Sequence, residues 1–384
     1  MKQGKTICIF SVNYLPNLGG VERYTYNLAK TLHHHGNEVI IVTSNVFNLK
    51  NYEITDGITI FRVPCFNVLN GRFPILKYNK IFKKIVKDLK KRKIDLMIIN
   101  TRYYIHSLYG VRFAYKNDIR MILIDHSTGH LTVNNTILDF CGRKFEHLLT
   151  AIIKHYCKSF YGVSKACNKW LKHFNITAKG VLYNAVDINE INEILKNVDF
   201  SYREKWSVKD SDLLIAYAGR LVKEKGVLNL INSVKFLNRN YKNMHLFIAG
   251  SGELESEVRE SCNDNIHFLG RLDFKEVISL LKETNIFCLP TEYPEGFPTS
   301  ILEAISCKCY IVTTAQGGAK ELILDDSYGS ILKNNSVNLL CSTIIKIMDN
   351  DQREAAIEKS YLAVIQNFTW EKTAKCVEKI ANNR

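Results

Sequence analysis

Short runs rich in β-branched residues alternate with helical patterns along the whole chain, and the rhythm stops and restarts once. In the first half, residues 6–11, 38–43, 58–63, 96–100, 121–125, 159–163 and 181–183 read as strands; in the second, 213–218, 245–249, 266–269, 286–289 and 310–313 do. Strands separated by helix-length segments read as parallel α/β units. Between the two series, residues 187–210 are polar and lack a strong strand pattern, which predicts the domain link there. The expected division is therefore a first domain over 1–186, a linker over 187–210 and a second domain over 211–369. The fold class is α/β, with two doubly wound, Rossmann-like domains. Ligands of such sheets bind outside the carboxyl ends of the strands, so two domains facing one another would leave a cleft there.

Bulk properties support two cores and narrow the environment. A chain of 384 residues is too long for one ordinary domain, and 46% hydrophobic residues are enough for two. The 11 cysteines are odd in number, scattered and without a C-x-x-C pair, which points to reduced thiols in a cytoplasmic protein. The start, MKQGKTICIFSVN, reads as a first strand and not as a signal peptide. No stretch approaches the roughly 18 apolar residues of a membrane span.

The net charge of +14 calls for anionic partners. Its densest run is residues 76–93, LKYNKIFKKIVKDLKKRK, in which Tyr78, Ile81, Phe82, Ile85, Val86 and Leu89 recur at helical spacing among lysines. Two readings stand: a solvated basic face on a packed helix, or a surface helix resting on an anionic membrane leaflet. Nucleic acid fits less well, because the basic residues lie on one helix without interleaved base-stacking aromatics.

The segment TEYPEGFPTSILE places Glu295 and Glu303 eight residues apart around a Gly-Phe-Pro turn. Pro298 suits the first turn of a helix, whose unpaired N–H groups seat an anion or a sugar oxygen. Glu303 then falls inside that helix among Ile301, Leu302, Ala304 and Ile305, where a carboxylate needs a partner. Ribose hydroxyls suit Glu303 and sugar-ring hydroxyls suit Glu295. The alternative is a capped surface helix whose glutamates face water.

Three further constellations follow predicted strands. Gly19-Gly20 runs into a helical pattern at Val21, Tyr24, Leu28 and Leu32, where a ligand can approach the backbone closely, or where the pair merely makes a turn. AGRLVKEKG sets Arg220, Lys223 and Lys225 ahead of a helix beginning near Val227; cations there oppose the macrodipole unless a diphosphate or another anion joins them. The other reading is an exposed basic loop. His126, in ILIDHSTGH, follows a buried-looking strand and reads as a substrate contact or a packed, hydrogen-bonded histidine. With His130 it makes H-x-x-x-H, but Gly129 opposes the helix that would align both for a metal. The triplets Asp210–Asp212 and 349–351 and the run His33-His34-His35 read as structural.

Taken together, these residues resemble glycosyltransferase family 4, the retaining nucleotide-sugar transferases with a GT-B fold, over most of the chain. PNLGG, DHSTGH, VLYNAVD, GRLVKEKG, IAGSGEL and EGFPTSILE appear in the family's order, and Ala185 stands where a glycine is common. The resemblance implies that Arg220 and Lys225 bind phosphate, that Glu295 binds donor-sugar hydroxyls with the Gly296, Phe297 and Pro298 backbone, and that Glu303 binds ribose. It implies further that His126 touches the donor sugar, that Gly19 and Gly20 form the first domain's glycine loop at the donor site with Gly20 near the diphosphate, and that Gly250 and Gly252 form the turn after the next strand. Arg271 and Leu272 lie where backbone shape bears on the base. The closing segment 370–384, after FTW, resembles the family's last helix, which crosses back onto the first domain.

The expected activity is transfer of a hexose-type sugar, with retention and without a metal or other cofactor, from a nucleoside-diphosphate sugar. UDP is expected ahead of GDP. The acceptor is expected to be a glycan or a lipid-linked molecule in bacterial surface polysaccharide or glycolipid synthesis, at the inner face of the plasma membrane. A sugar-nucleotide epimerase of the same fold and a non-catalytic nucleotide-sugar or glycan binder are the alternatives.

Overall fold

The structure, a computed structural model, describes residues 4–17, 19–69, 71–132, 135–241, 243–349 and 351–383. Leu18 of the glycine loop, Asn350 of the second Asp triplet and Arg384 of the closing segment lie outside the described residues. The chain divides into two compact units, Met1–Asn184 with Trp370–Arg384, and Ala185–Thr369.

The first unit contains β1 (Thr6–Phe10), β2 (Glu38–Ser44), β3 (Tyr52–Thr55), β4 (Ile58–Val63), β5 (Cys65–Phe66), β6 (Ile75–Leu76), β7 (Leu96–Asn100), β8 (Met121–Asp125), β9 (Phe160–Gly162) and β10 (Gly180–Val181). Its helices before the chain leaves it are α1 (Gly20–His34), α2 (Lys80–Lys90), α3 (Ile105–Lys116), α4 (Thr136–Tyr156) and α5 (Lys165–Leu171). Among the described residues the main sheet runs β10-β9-β8-β7-β1-β2-β4-β3, parallel except for β3. Its central strands are apolar throughout because helices cover both faces: β7, LMIIN, is buried at every position. Phe82, Ile85 and Leu89 of α2, Val111, Phe113 and Ala114 of α3, and Leu149 and Ile153 of α4 share one core beneath the sheet.

The basic run 76–93 is helical over a shorter span than its periodicity suggests. Leu76 belongs to β6, and Asn79 begins α2 by accepting the Phe82 N–H. Tyr78 and Ile81 are exposed, while Lys83, Lys84, Lys87 and Lys90 face solvent. The apolar stripe that remains is consumed by the core. The edge strand β3 has no counterpart among the expected strands; it pairs with β4 through Asp56-Gly57, both with positive φ, a hairpin signal present in the chain.

The second unit contains β11 (Leu213–Ala218), β12 (Met244–Ala249), β13 (Ile266–Gly270), β14 (Ile286–Leu289), β15 (Tyr310–Thr314) and β16 (Ser330–Leu332), ordered β13-β12-β11-β14-β15-β16 and all parallel. Its helices are α6 (Ile188–Lys196), α7 (Tyr202–Lys205), α8 (Val227–Leu237), α9 (Glu255–Glu260), α10 (Phe274–Lys282), α11 (Thr299–Ser306), α12 (Ala319–Leu322), α13 (Val337–Met348) and α14 (Arg353–Asn367). The stretch expected to be a linker is thus helical. Asp187 and Ser201 cap α6 and α7, α6 packs on α10, and Arg203 donates to the Glu283 carbonyl and Asn285 side chain. Polar faces of two short capped helices gave the segment its linker-like composition.

The last helix, α15 (Trp370–Asn382), belongs to the first unit and packs on α1. His35, at the end of α1, contacts Glu371 at 2.8 Å and Glu378 at 3.0 Å, giving one member of the histidine run a partner beyond its own helix.

Candidate active site

In the second unit the strand order reverses between β11 and β14, the place where sheets of this kind bind ligands. The chain after β11 carries Arg220 and then a 3-10 turn, Lys223–Lys225; the chain after β14 carries Thr291, Tyr293 and Glu295. Backbone bonds join the two loops, since the Glu224 carbonyl accepts the N–H groups of Glu292 at 2.6 Å and Tyr293 at 3.1 Å. Gly226, at φ +73°, then turns the chain into α8.

This juncture brings Arg220, Lys225 and Glu295 together. Lys225 Nζ donates to Glu295 Oε1, with the two side chains only 11% and 15% exposed. Thr291 Oγ1 donates to the same oxygen at 3.4 Å. The Arg220 guanidinium lies 4.6 Å and the Lys225 ammonium 5.6 Å from the centre of the Tyr293 ring. Two cations thus converge near one carboxylate, an arrangement suited to an anion that the arginine can grip with its planar fork. Thr291 and Tyr293 were not singled out from sequence, although both lie inside the segment that supplied Glu295.

Pro298 occupies the N-cap of α11, one place ahead of the first helical turn where it was expected. Glu303 is buried in the same helix, and the Phe297 ring packs 5.4 Å from Phe368, so Gly296 and the backbone around it hold the turn between two anchored side chains. Gly317, unremarked in the sequence, supports Glu295 from below: at φ +54°, a Cβ there would sit 1.8 Å from the Glu295 carbonyl oxygen. Gly250 and Gly252 serve a similar close approach, with added Cβ atoms 1.9 Å from the Gly219 oxygen and 2.4 Å from the Leu221 oxygen. Arg271 is exposed and Leu272 half-buried, directly ahead of the capping box Asp273/Glu276 that opens α10.

In the first unit, Gly19 is the N-cap of α1 and Gly20 its first residue. A side chain on Gly19 would meet the buried Glu22 carboxylate at 2.3 Å, whereas the space beside Gly20 is open. Burial raises the Glu22 pKa, partly offset by hydrogen bonds that include the Asn17 side chain. His126 follows β8, its Nε2 donating to Asn100 Oδ1 at 3.2 Å and its ring set edge-on to Tyr24 at 4.8 Å. Asn100 in turn donates to Thr25 Oγ1 at 2.8 Å, and Tyr24 to the Leu182 carbonyl at 3.1 Å. Burial lowers the His126 pKa to about 3, so the ring is neutral and Nδ1 carries the lone pair.

His130 does not join His126. Its Nδ1 meets Glu146 Oε2 at 2.7 Å, and its ring lies among His147, Trp170, His173 and Phe174. Of the Asp triplets, Asp212 lies ahead of the amino end of β11, away from the strand ends that carry the site, and Asp349 is the C-cap of α13.

Residues 18–190 match the family model described as Glycosyltransferase Family 4, and residues 198–362 match the one described as Glycosyl transferases group 1. The chain is 26% identical over 388 residues to an uncharacterized glycosyltransferase of Methanocaldococcus jannaschii, covering 97% of each. It is 24% identical over 392 residues to the Saccharomyces cerevisiae phosphatidylinositol N-acetylglucosaminyltransferase GPI3 subunit, covering 99% of this chain and 83% of that protein. The crystal structure of Anabaena HepE in complex with UDP-glucose has a TM-score of 0.72, with 16% identity and 98% coverage of both chains, a likeness of fold.

Proposed function

Because the chain belongs to glycosyltransferase family 4 and has the GT-B fold, we propose that it moves a hexose from a nucleoside-diphosphate sugar, UDP-linked ahead of GDP-linked, with retention at the anomeric carbon. The observation that carries this reading is the buried Lys225–Glu295 pair with Arg220 beside it over Tyr293. The diphosphate takes the Arg220 guanidinium and shares the Lys225 ammonium with Glu295. Glu295, held by Lys225 and Thr291, accepts from hydroxyls of the donor sugar, and Glu303 accepts from ribose. Neutral His126 and the open backbone beside Gly20 are the first unit's proposed contacts to the donor.

The chemistry follows from where charge develops. As the glycosidic bond to phosphate breaks, negative charge gathers on the leaving diphosphate, where fixed cations stabilise it more than they stabilise the bound donor. The acceptor hydroxyl attacks from the face the phosphate leaves, and the departing phosphate oxygen takes its proton. Arg220 and Lys225 supply the positive charge in this scheme without a catalytic metal.

The acceptor is proposed to be a glycan or lipid-linked molecule for a bacterial surface polysaccharide or glycolipid, met at the cytoplasmic leaflet. No helix among the described residues is long and apolar enough to cross a membrane. The surface lysines of α2 suit anionic headgroups, and α4 exposes Ile137, Leu138, Phe140 and Leu148 beside the basic Arg143 and Lys144. The two helices share a core and lie on one layer of the first unit. Sedimentation with vesicles containing anionic lipid tests this association; binding equal to that for neutral vesicles would remove its electrostatic part.

A further inference from the structure

Three histidines from separate elements of the first unit converge at a place that the transfer chemistry does not use. His130 comes from the loop after β8, His147 from the middle of α4, and His173 from the 3-10 turn Lys172–Phe174 after α5. One ring nitrogen from each lies within 4.8 Å of the other two, and Nε2 of His147 and Nε2 of His173 are 3.2 Å apart. A tetrahedral zinc with Zn–N distances of about 2.0–2.1 Å holds its nitrogens roughly 3.3 Å apart. One edge of such a site is therefore already formed, and His130, within 4.8 Å of both nitrogens, is close enough to complete a face by a small adjustment of its ring.

The rings are also oriented from behind. Glu146 Oε2 holds Nδ1 of His130 at 2.7 Å, while Oε1 accepts from Arg102 Nη1 at 2.7 Å, and Arg102 is fully buried. A carboxylate on one imidazole nitrogen fixes the tautomer and presents the other nitrogen to a metal, as in carboxylate–histidine–zinc triads. The Trp170 indole stacks on His173 at 4.8 Å with planes 6° apart, fixing the second ring. Three imidazoles and no carboxylate among the cluster's donors match zinc, nickel or copper and not magnesium or calcium.

We propose that His130, His147 and His173 bind one divalent transition-metal ion, zinc by preference, with a fourth position open to water. The ion ties the loop of residues 126–132, which begins with His126, to α4 and to the end of α5. Its place is structural or regulatory, since the bound donor is assigned to the Arg220–Lys225–Glu295 cluster and needs no contact with it.

Metal-stripped full-length chain, titrated with zinc and separately with cobalt as a spectroscopic probe, tests the assignment. The expected result is one equivalent per chain, tetrahedral cobalt absorption, and a rise in melting temperature on adding zinc. His147→Ala and His173→Ala are surface changes, and each is expected to weaken binding by roughly tenfold or more and remove the thermal shift. A His33→Ala/His34→Ala double variant, which alters the other histidine-rich stretch, is expected to bind like the parent. Absence of a saturable equivalent, unchanged affinity in both cluster variants, or loss of the site in the His33/His34 variant would each overturn the proposal.

Discussion

Lys225 and Glu295 hold one another with little solvent around them, so removing either side chain leaves the other charge poorly compensated. Glu295→Gln and Lys225→Met are each expected to lower turnover by roughly 10²–10³, the scale for losing one preorganised charge-stabilising group. Each is also expected to cost up to about 3 kcal/mol of stability, read by denaturant unfolding. The double variant separates the two effects: stability recovers in part because both charges of the pair are removed together, whereas turnover does not. Recovery of turnover along with stability would assign the pair to folding alone. His126 and His106 carry a different signature, because burial lowers both to a pKa of about 3 in the folded chain. An unfolded histidine titrates near 6.5, so below that pH the unfolded state takes up protons first. The stability from these neutral rings is complete above pH about 6.5 and drains as pH falls toward 3. Neither ring nitrogen of buried His106 has a hydrogen-bond partner among the described residues, so His106→Phe is expected to flatten the acid slope by up to about 1.4 kcal/mol per pH unit. An unchanged slope in unfolding experiments across that range would place the protonation elsewhere.

At the scale of elements, the proposed membrane association rests on two helices, α2 and α4, where the sequence pattern offers one basic helix, either solvated or resting on an anionic leaflet. The lysines of α2 point outward while Phe82, Ile85 and Leu89 are spent on the core, so in the proposed membrane association α2 would contribute charge and not inserted apolar surface. Replacing Lys83, Lys84, Lys87 and Lys90 with glutamine is expected to weaken binding to anionic vesicles by about 1 kcal/mol per lysine near the surface. Ile137→Ser with Phe140→Ser in α4 is expected to weaken it as well, with less dependence on salt. Equal loss of salt sensitivity in both sets would contradict this division. Periodicity exposed the amphipathic helix in residues 76–93 but not its start, because Asn79 at the cap cuts the pattern after Tyr78. The helices within 187–210 had legible caps in Asp187 and Ser201, yet their polar faces outweighed them. Gly317 carried no local signal at all, since its partner, the Glu295 carbonyl, is distant in sequence and meets it through the fold.

At the scale of the molecule, the two series of apolar runs were enough to place nearly all the strands of both main sheets. Buried parallel strands such as LLIAYA and LMIIN announce themselves without any alternation. Short edge strands such as β16 did not, because three residues, two of them half-buried, make too small a pattern. Among the parallel strands each main sheet reverses its order once, at β1–β7 and at β11–β14, and the candidate residues Gly19, Gly20, Arg220, Lys225 and Glu295 follow these strands. Their chemistry was legible as residue types; the ion pair and the Tyr293 shelf beneath two cations required the folded loops. The central claim, that this second-unit cluster discharges a nucleotide sugar, is tested most directly by donor consumption. Purified chain would be incubated with membrane extract and each common UDP-, GDP- and ADP-sugar, beside Glu295→Gln and Lys225→Met, with mass-spectrometric detection. The account predicts release of one nucleoside diphosphate by the parent and its loss, by roughly 10²–10³, in both variants. Silence across the panel, or release unchanged in the variants, would contradict it.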